Sequence, residues 1–239
     1  MVTEILFSEV CNLFGDGQNP AYLRATLPDD EFIFTALTDE PYFVNNTPDM
    51  IYIGAMSEST QRRVIKKLMP YKDRIAALID SGVVFLATGN ACEIFTKHIS
   101  YVTEEKETDG LGIFDLTVKT DLFDRYNGKV LGTFDGITMT GFRSQFSFIY
   151  GDNADCYFIK VERGDGIHRG STLEGFRRNN FFGTQLLGPI LPLNPLFTEH
   201  IIKLAGKEAK AAFRDDAMAA YEQRLKEFKD PKTVFGHNH

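Results

Sequence analysis

The chain has 239 residues, 43% of them hydrophobic and 25% charged, a balance that supports one substantial folded core and excludes a largely disordered polymer. Its formal charge is −7 at pH 7. With clustered Lys and Arg limited to short runs such as Arg62-Arg63 and Arg177-Arg178, broad attraction to phosphate backbones or anionic lipid is excluded, and neither nucleic acid nor membrane is an expected partner.

Short apolar runs rich in β-branched and aromatic residues, at Glu4–Phe7, Phe32–Leu37, Met50–Ile53 and Val83–Thr88, alternate with turn-rich or helical stretches, which predicts an α/β protein with a mostly parallel sheet flanked by helices. Ser59-Thr60 can cap a helix carrying Val64, Ile65 and Leu68, and Pro70 suits the first turn of a second, closed by Ser81-Gly82. The next strand, ending Leu86-Ala87-Thr88, turns abruptly at Gly89 into an expected helix, Asn90-Ala91-Cys92-Glu93-Ile94-Phe95, the layout of an elbow that presents a nucleophile. Gly89 brings no reactive atom to it.

From Leu111 to Phe182 glycines punctuate short strands, predicting hairpins and loops added to the sheet. After Pro192 and Pro195 the chain becomes helical, with Phe213, Ala217, Tyr221, Leu225 and Phe228 along one face. That stripe is expected to pack on the parent domain rather than on a partner, and residues 234–239 read as a frayed tail.

Several blocks together resemble class I glutamine amidotransferases of the cobyric acid synthase type, and within them the glutaminase subunits of lipid II isoglutaminyl synthase. They are Asn12-Leu13-Phe14-Gly15-Asp16 with Asn19, Asp49-Met50-Ile51-Tyr52-Ile53-Gly54, Leu86-Ala87 with the elbow, Gly110-Leu111-Gly112, Gly141-Phe142, and the run from Gly183 to Pro195. The last is the most specific. The resemblance implies a flavodoxin-like amidotransferase domain over residues 1–203, with 204–239 forming the C-terminal amphipathic helix and tail on the same domain.

The family elbow reads L-A-(I/V)-C-G-G-(Y/F)-Q and its late block G-T-Y-L-H-G-P, so the nucleophilic cysteine falls on Gly89 and the histidine base on Leu187. The Gly-Gly-Gly oxyanion loop becomes Gly54-Ala55-Met56. The elbow glutamine becomes Glu93, and G-F-E-N-H becomes Gly141-Phe142-Arg143-Ser144-Gln145. Glutamine hydrolysis in such sites needs a thiolate to attack the amide and an imidazole to activate it, and neither glycine nor leucine supplies these groups. The resemblance therefore implies an inactive homologue with no catalytic residue intact and a vestigial pocket at Gly54, Ala55, Met56, Asn90, Glu93, Arg143 and Gln145. It also implies a Mur-ligase-like, ATP-using synthase subunit as partner in amidating a cell-wall precursor, or a small-molecule ligand in the pocket. The alternative is an active glutaminase or hydrolase with a displaced nucleophile such as Cys92.

Other candidates are weaker. A cysteine one turn into a helix reads as a small hydrophobe. Thr88 and Ser57 carry hydroxyls without a histidine at suitable spacing, and His98, read as late in the elbow helix, and His168 read as surface side chains. Gly15-Asp16-Gly17 lacks the pattern of a phosphate loop, and Asp29-Asp30 and Glu104-Glu105 read as solvated turns. Cys11, Cys92 and Cys156 are too scattered for a disulfide framework or zinc site. No metal or cofactor is expected. With no basic or long apolar N-terminal segment, the chain reads as a cytoplasmic protein.

Overall fold

The computed structural model describes residues Met1–Asn238. Its first half follows the alternation: β1 (Val2–Leu6), α1 (Gln18–Thr26), β2 (Glu31–Thr35), β3 (Met50–Ile53), α2 (Glu58–Leu68), α3 (Lys72–Asp80) and β4 (Val84–Thr88). Then come β5 (His98–Tyr101), β6 (Lys106–Asp109), β7 (Thr117–Thr120), β8 (Tyr126–Phe134), β9 (Ile137–Gln145), β10 (Ser147–Tyr150), β11 (Ile159–Arg163), β12 (Leu173–Glu174), β13 (Phe176–Arg178) and β14 (Phe181–Thr184). The chain closes with α4 (Ile190–Leu193), α5 (Pro195–Leu204), α6 (Arg214–Lys229) and β15 (Gly236–Asn238).

The main sheet has the order β13-β14-β4-β3-β1-β2 and is parallel except for β13 at one edge. Its central strands are apolar on both faces because both are covered. Side chains alternate with period two: Ile51, Ile53, Phe85 and Phe181 enter the core beneath α2 and α3, while Met50, Tyr52, Leu86 and Phe182 enter the one beneath α1, α4 and α5. Aromatic rings fill each, with Phe95 against Phe181 at 4.7 Å on the first side and Phe134 against Phe158 at 5.0 Å on the second.

Four expectations need correction. The helix cap is Ser57, whose Oγ accepts from the Thr60 amide at 3.3 Å, so Ser59 and Thr60 lie inside the first turn of α2. The Gly-punctuated region does not extend the main sheet until β13 and β14; of its other strands, β7 and β10 join β5 and β6 in a sheet ordered β10-β7-β5-β6, and the rest build another around β8 and β9. The elbow segment Gly89–Phe95 is a 3-10 helix and His98 opens β5. It cannot propagate as an α-helix because the carbonyls of Ile94, Phe95 and Thr96 accept from the amides of Leu111, Ile113 and Gly112 at 2.8, 3.0 and 2.8 Å. Gly110 permits that approach, since a β-carbon there would stand 2.2 Å from the Thr96 carbonyl oxygen. Finally, the tail is not wholly frayed: Gly236–Asn238 pairs antiparallel with β8, while His239 lies outside the described residues.

The C-terminal helix α6 buries only part of its apolar stripe. Tyr221 and Phe228 are buried, and the Tyr221 hydroxyl donates to the Thr138 carbonyl at 2.7 Å. Phe213 instead precedes the helix with φ +51° and is 75% exposed.

Candidate functional site

The registers of the parallel strands bring Leu6, Ile53, Thr88 and Thr184 to one edge of the sheet, the carboxyl edge at which open α/β sheets place ligands. The segments leaving it are the loop after β1, Gly54-Ala55-Met56, the elbow, and Gln185-Leu186-Leu187. Hydrogen bonds hold them in place. Asn19 accepts from the Leu191 amide at 2.9 Å, Asn194 bonds both backbone groups of Thr140 at 2.8 Å, and Leu187 and Phe142 exchange backbone bonds of 2.8 and 3.1 Å.

Gly89 takes φ +58°, the left-handed conformation of an elbow. A β-carbon there would lie 2.7 Å from Ala55 Cβ and 2.9 Å from Leu187 Cδ2, both inside van der Waals contact. The two positions to which the resemblance assigns nucleophile and base thus face each other, and the leucine branch fills the volume a side chain at 89 would need.

The Gly54-Ala55-Met56 loop, to which the resemblance assigns the oxyanion hole, is occupied as well. The Met56 amide donates to Asn90 Oδ1 at 2.9 Å, and Asn90 Nδ2 donates to the Met56 carbonyl at 2.7 Å. The Ala55 amide donates to Asp16 Oδ2 at 2.8 Å, and Thr88 Oγ1 donates to the same oxygen at 2.6 Å. Asp16 is fully buried, and burial raises its pKa against these bonds. Amides already committed to internal acceptors are not poised for a developing oxyanion. Gly54 allows the packing, since a β-carbon there would meet the Cys11 carbonyl oxygen at 2.6 Å.

Behind the elbow lies a basin of buried polar groups. Glu93 Oε1 accepts from Ser147 Oγ and, at 2.9 Å, from Gln185 Nε2, while Oε2 accepts from Gln61 Nε2 at 2.9 Å. Desolvation outweighs these bonds and pushes Glu93 up to about 7. Arg143 is also buried. It donates to the Gly166 carbonyl and to Gln185 Oε1 at 2.9 Å, and stands 3.7 Å from Glu174 Oε1. Glu174 in turn accepts from Thr184 Oγ1 and the Gln185 amide, each at 3.0 Å.

A cavity of about 150 Å³ opens between elbow and basin. Of the expected pocket residues, Ala55, Met56, Gly89, Asn90, Glu93, Gln145 and Leu187 line it; Gly54 sits below the loop and Arg143 behind Gln185, neither on the cavity wall. Among the described residues no thiol or imidazole lines it. Cys92 is wholly buried, and burial, then Glu93 and Glu174, hold its pKa well above the ordinary thiol value. Thr88 is committed to Asp16 and Ser57 to its capping bond. His98 bonds Asp109 at 3.1 Å and also Glu107, and His168 stacks on Tyr150.

The residues missed at the sequence level are Asp16 in its cross-chain role, Gln61, Ser147, Gln185 and Glu174. Gln185 alone carried a signal, standing where the family pattern has tyrosine. The acidic turns also need correction: Asp30 is paired with the Met1 amino group at 3.1 Å and with Lys207, and Glu104 with Arg62 and Lys106 at 3.1 and 2.8 Å. Among the described residues no helix is long and apolar enough to cross a membrane.

No family model matches the chain. It is 28% identical over 159 residues to the GatD subunit of lipid II isoglutaminyl synthase (glutamine-hydrolyzing) of Staphylococcus aureus (strain N315), an alignment covering 66% of this chain and 63% of that protein. The chain therefore spans less than two thirds of the curated relative it matches. A crystal structure of a glutamine amidotransferase from Thermotoga maritima aligns over 96% of this chain and 92% of its own, at 9% identity and a TM-score of 0.49. By sequence the chain is thus similar to GatD, a glutamine-hydrolysing synthase subunit.

Proposed function

We propose that this chain is a noncatalytic amidotransferase-like subunit, kept for association with a synthase partner and for holding a small ligand in its remodelled cavity. The carrying observation is the contact at the elbow: Leu187 Cδ2 lies 2.9 Å from the point a β-carbon at position 89 would occupy. The Asn90 carboxamide, bonded to both backbone groups of Met56, supports the same reading. Nucleophile, base and oxyanion donors are the parts amide hydrolysis requires, and each place is taken by something else. The burial of Cys92 counts against its use as a substitute nucleophile.

The GatD relative is named as a subunit of a glutamine-hydrolysing lipid II isoglutaminyl synthase. We accordingly assign this chain a Mur-ligase-like synthase partner, a place in cell-wall precursor amidation and a cytoplasmic location. Residues 1–203 form the amidotransferase-like domain in this reading, with 204–239 as its C-terminal appendage. The test is ammonia release from glutamine by the purified chain, with and without a thiol-alkylating reagent. Release no faster than in buffer is expected; turnover of about 1 to 100 per second, abolished by alkylation, would overturn the proposal.

A further inference from the structure

The two edges of the main sheet differ. β13 is three residues long and carries Arg177 and Arg178, and β6, at an edge of the β10-β7-β5-β6 sheet, carries Lys106, Glu107 and Asp109. Shortness and charge are the ordinary protection of a strand edge. β2 has neither: it reads Glu-Phe-Ile-Phe-Thr, with its one charge at the first residue, and Phe34 is 47% exposed.

β2 pairs with β1 alone. The Glu31 amide donates to the Met1 carbonyl at 3.1 Å and the Thr35 carbonyl accepts from the Phe7 amide at 2.7 Å, so the main-chain groups of Glu31, Ile33 and Thr35 turn toward β1. By the alternation of a strand those of Phe32 and Phe34 turn outward, and among the described residues no other segment bonds them. Both rings lie on the α1 face: Phe32 packs against the core beneath α1, and the Arg24 guanidinium stands 5.7 Å from the Phe34 ring centroid. Beside them runs an open groove of about 690 Å³ lined by Ala21, Arg24, Ala25, Leu27, Phe32 and Phe34.

We propose that a second copy of this chain pairs on this edge, β2 antiparallel to β2 about a two-fold axis at Ile33. In that register Phe32 stands opposite Phe34 of the second copy and Phe34 opposite its Phe32, so hydrogen bonds use every outward amide and carbonyl of these residues in both copies. Phe34 of the second copy then lies beside Phe32, over the groove that the small side chains of Ala21 and Ala25 leave open. Glu31 falls opposite Thr35, which keeps the strand's one charge roughly 14 Å along the strand from its counterpart, where like charges set directly opposite would oppose pairing. Other registers fit less well. An axis at Phe32 opposes Phe34 to Asp30, whose amide is already bonded to the Leu27 carbonyl at 3.2 Å, and an axis at Phe34 opposes Phe32 to Ala36, whose carbonyl already accepts from the Asp39 amide at 3.0 Å. Pairing of identical edges about a two-fold axis is closed: it consumes both β2 edges and stops at the dimer.

The test is sedimentation equilibrium of the purified chain up to about 100 μM, beside Phe34→Lys, which puts a charge on the edge. Wild type is expected to associate to twice the mass of one chain. Phe34→Lys is expected to keep the circular dichroism of wild type and to raise the dissociation constant about tenfold or more, since by symmetry the facing pair is lost on both sides of the axis. The register is read by disulfide trapping in a Cys156→Ser background, which removes the native thiol that is not buried. Adding Ile33→Cys sets two thiols opposite each other across the axis, about 4.5 Å apart at Cα, within disulfide reach, and is expected to give a linked dimer on mild oxidation. Adding Phe32→Cys leaves its two thiols on a diagonal of about 7 Å, beyond that reach, and is expected to give none. A wild-type chain that stays monomeric, association unmoved by Phe34→Lys, or trapping through Phe32→Cys in place of Ile33→Cys would overturn the inference; the first result would leave the edge to a strand of a different protein.

Discussion

The elbow and the basin behind it lie side by side along the same sheet edge and are built on opposite principles. At the elbow the places are closed with hydrocarbon or with neutral hydrogen-bonded groups: Leu187 and Ala55 around Gly89, Asn90 around Met56. In the basin, ionisable groups are buried with partial compensation, Glu93 among amides and hydroxyls and Arg143 at 3.7 Å from Glu174 with its Nε unpaired. The difference teaches that closing an elbow need not leave an inert surface beside it. The closed half fixes geometry, and in the charged half burial pushes Glu93 up to about 7.

If the basin depends on charge compensation, its substitutions must cost most. Arg143→Leu strands the buried Glu174 carboxylate, and a loss of about 3 to 5 kcal/mol is expected in denaturant titration, part of it recovered by adding Glu174→Gln. A loss below about 1 kcal/mol would show that the guanidinium is not electrostatically engaged.

The next effect is a pH dependence. Glu93 is raised from 4.5 to about 7 in the folded state, so the folded chain holds its proton more tightly than the unfolded chain. The favourable contribution is complete below 4.5 and is lost as pH rises through 7. The shift corresponds to about 3 kcal/mol. Relative to wild type, Glu93→Gln is expected to gain about that much stability between pH 4.5 and pH 8, whatever its offset at low pH, and parallel stability curves would contradict the assignment.

At the elbow the expected effects are steric and smaller. Gly89→Cys meets both the left-handed φ and the contacts at 2.7 and 2.9 Å, and a loss of about 1 to 3 kcal/mol is expected. Adding Leu187→Ala removes one contact but not the backbone strain, so only part returns. Unchanged stability for Gly89→Cys would mean the elbow is looser than the packing indicates.

The smallest test concerns the C-terminal helix. Tyr221→Phe removes the bond to the Thr138 carbonyl and should cost about 1 kcal/mol, whereas Phe213→Ser, at a position 75% exposed, should leave the melting temperature unchanged.

What the sequence disclosed and withheld follows the range of the forces involved. The bounds of β3 were readable because Met50–Ile53 is a short apolar run between turn residues, a purely local signal. The juxtaposition of Gly89 and Leu187 was reachable through the resemblance, which assigns both to one site. The early end of the elbow helix was not, because carbonyls at 94–96 are captured by amides at 111–113. Asp16 read as a turn former, yet its carboxylate spans to Ala55 and Thr88. Pairing of the tail with β8 was likewise hidden, since Gly236 and Asn238 carry little β-propensity.

The central claim is that no thiol can reach a substrate amide in this cleft. It is tested most directly by exposing the native protein to an electrophilic diazoketone analogue of glutamine and measuring its intact mass and peptide map. An unchanged mass, with Cys92 unlabelled until the chain is denatured, is the expected result, and a single adduct on Cys92 in the folded protein would contradict it.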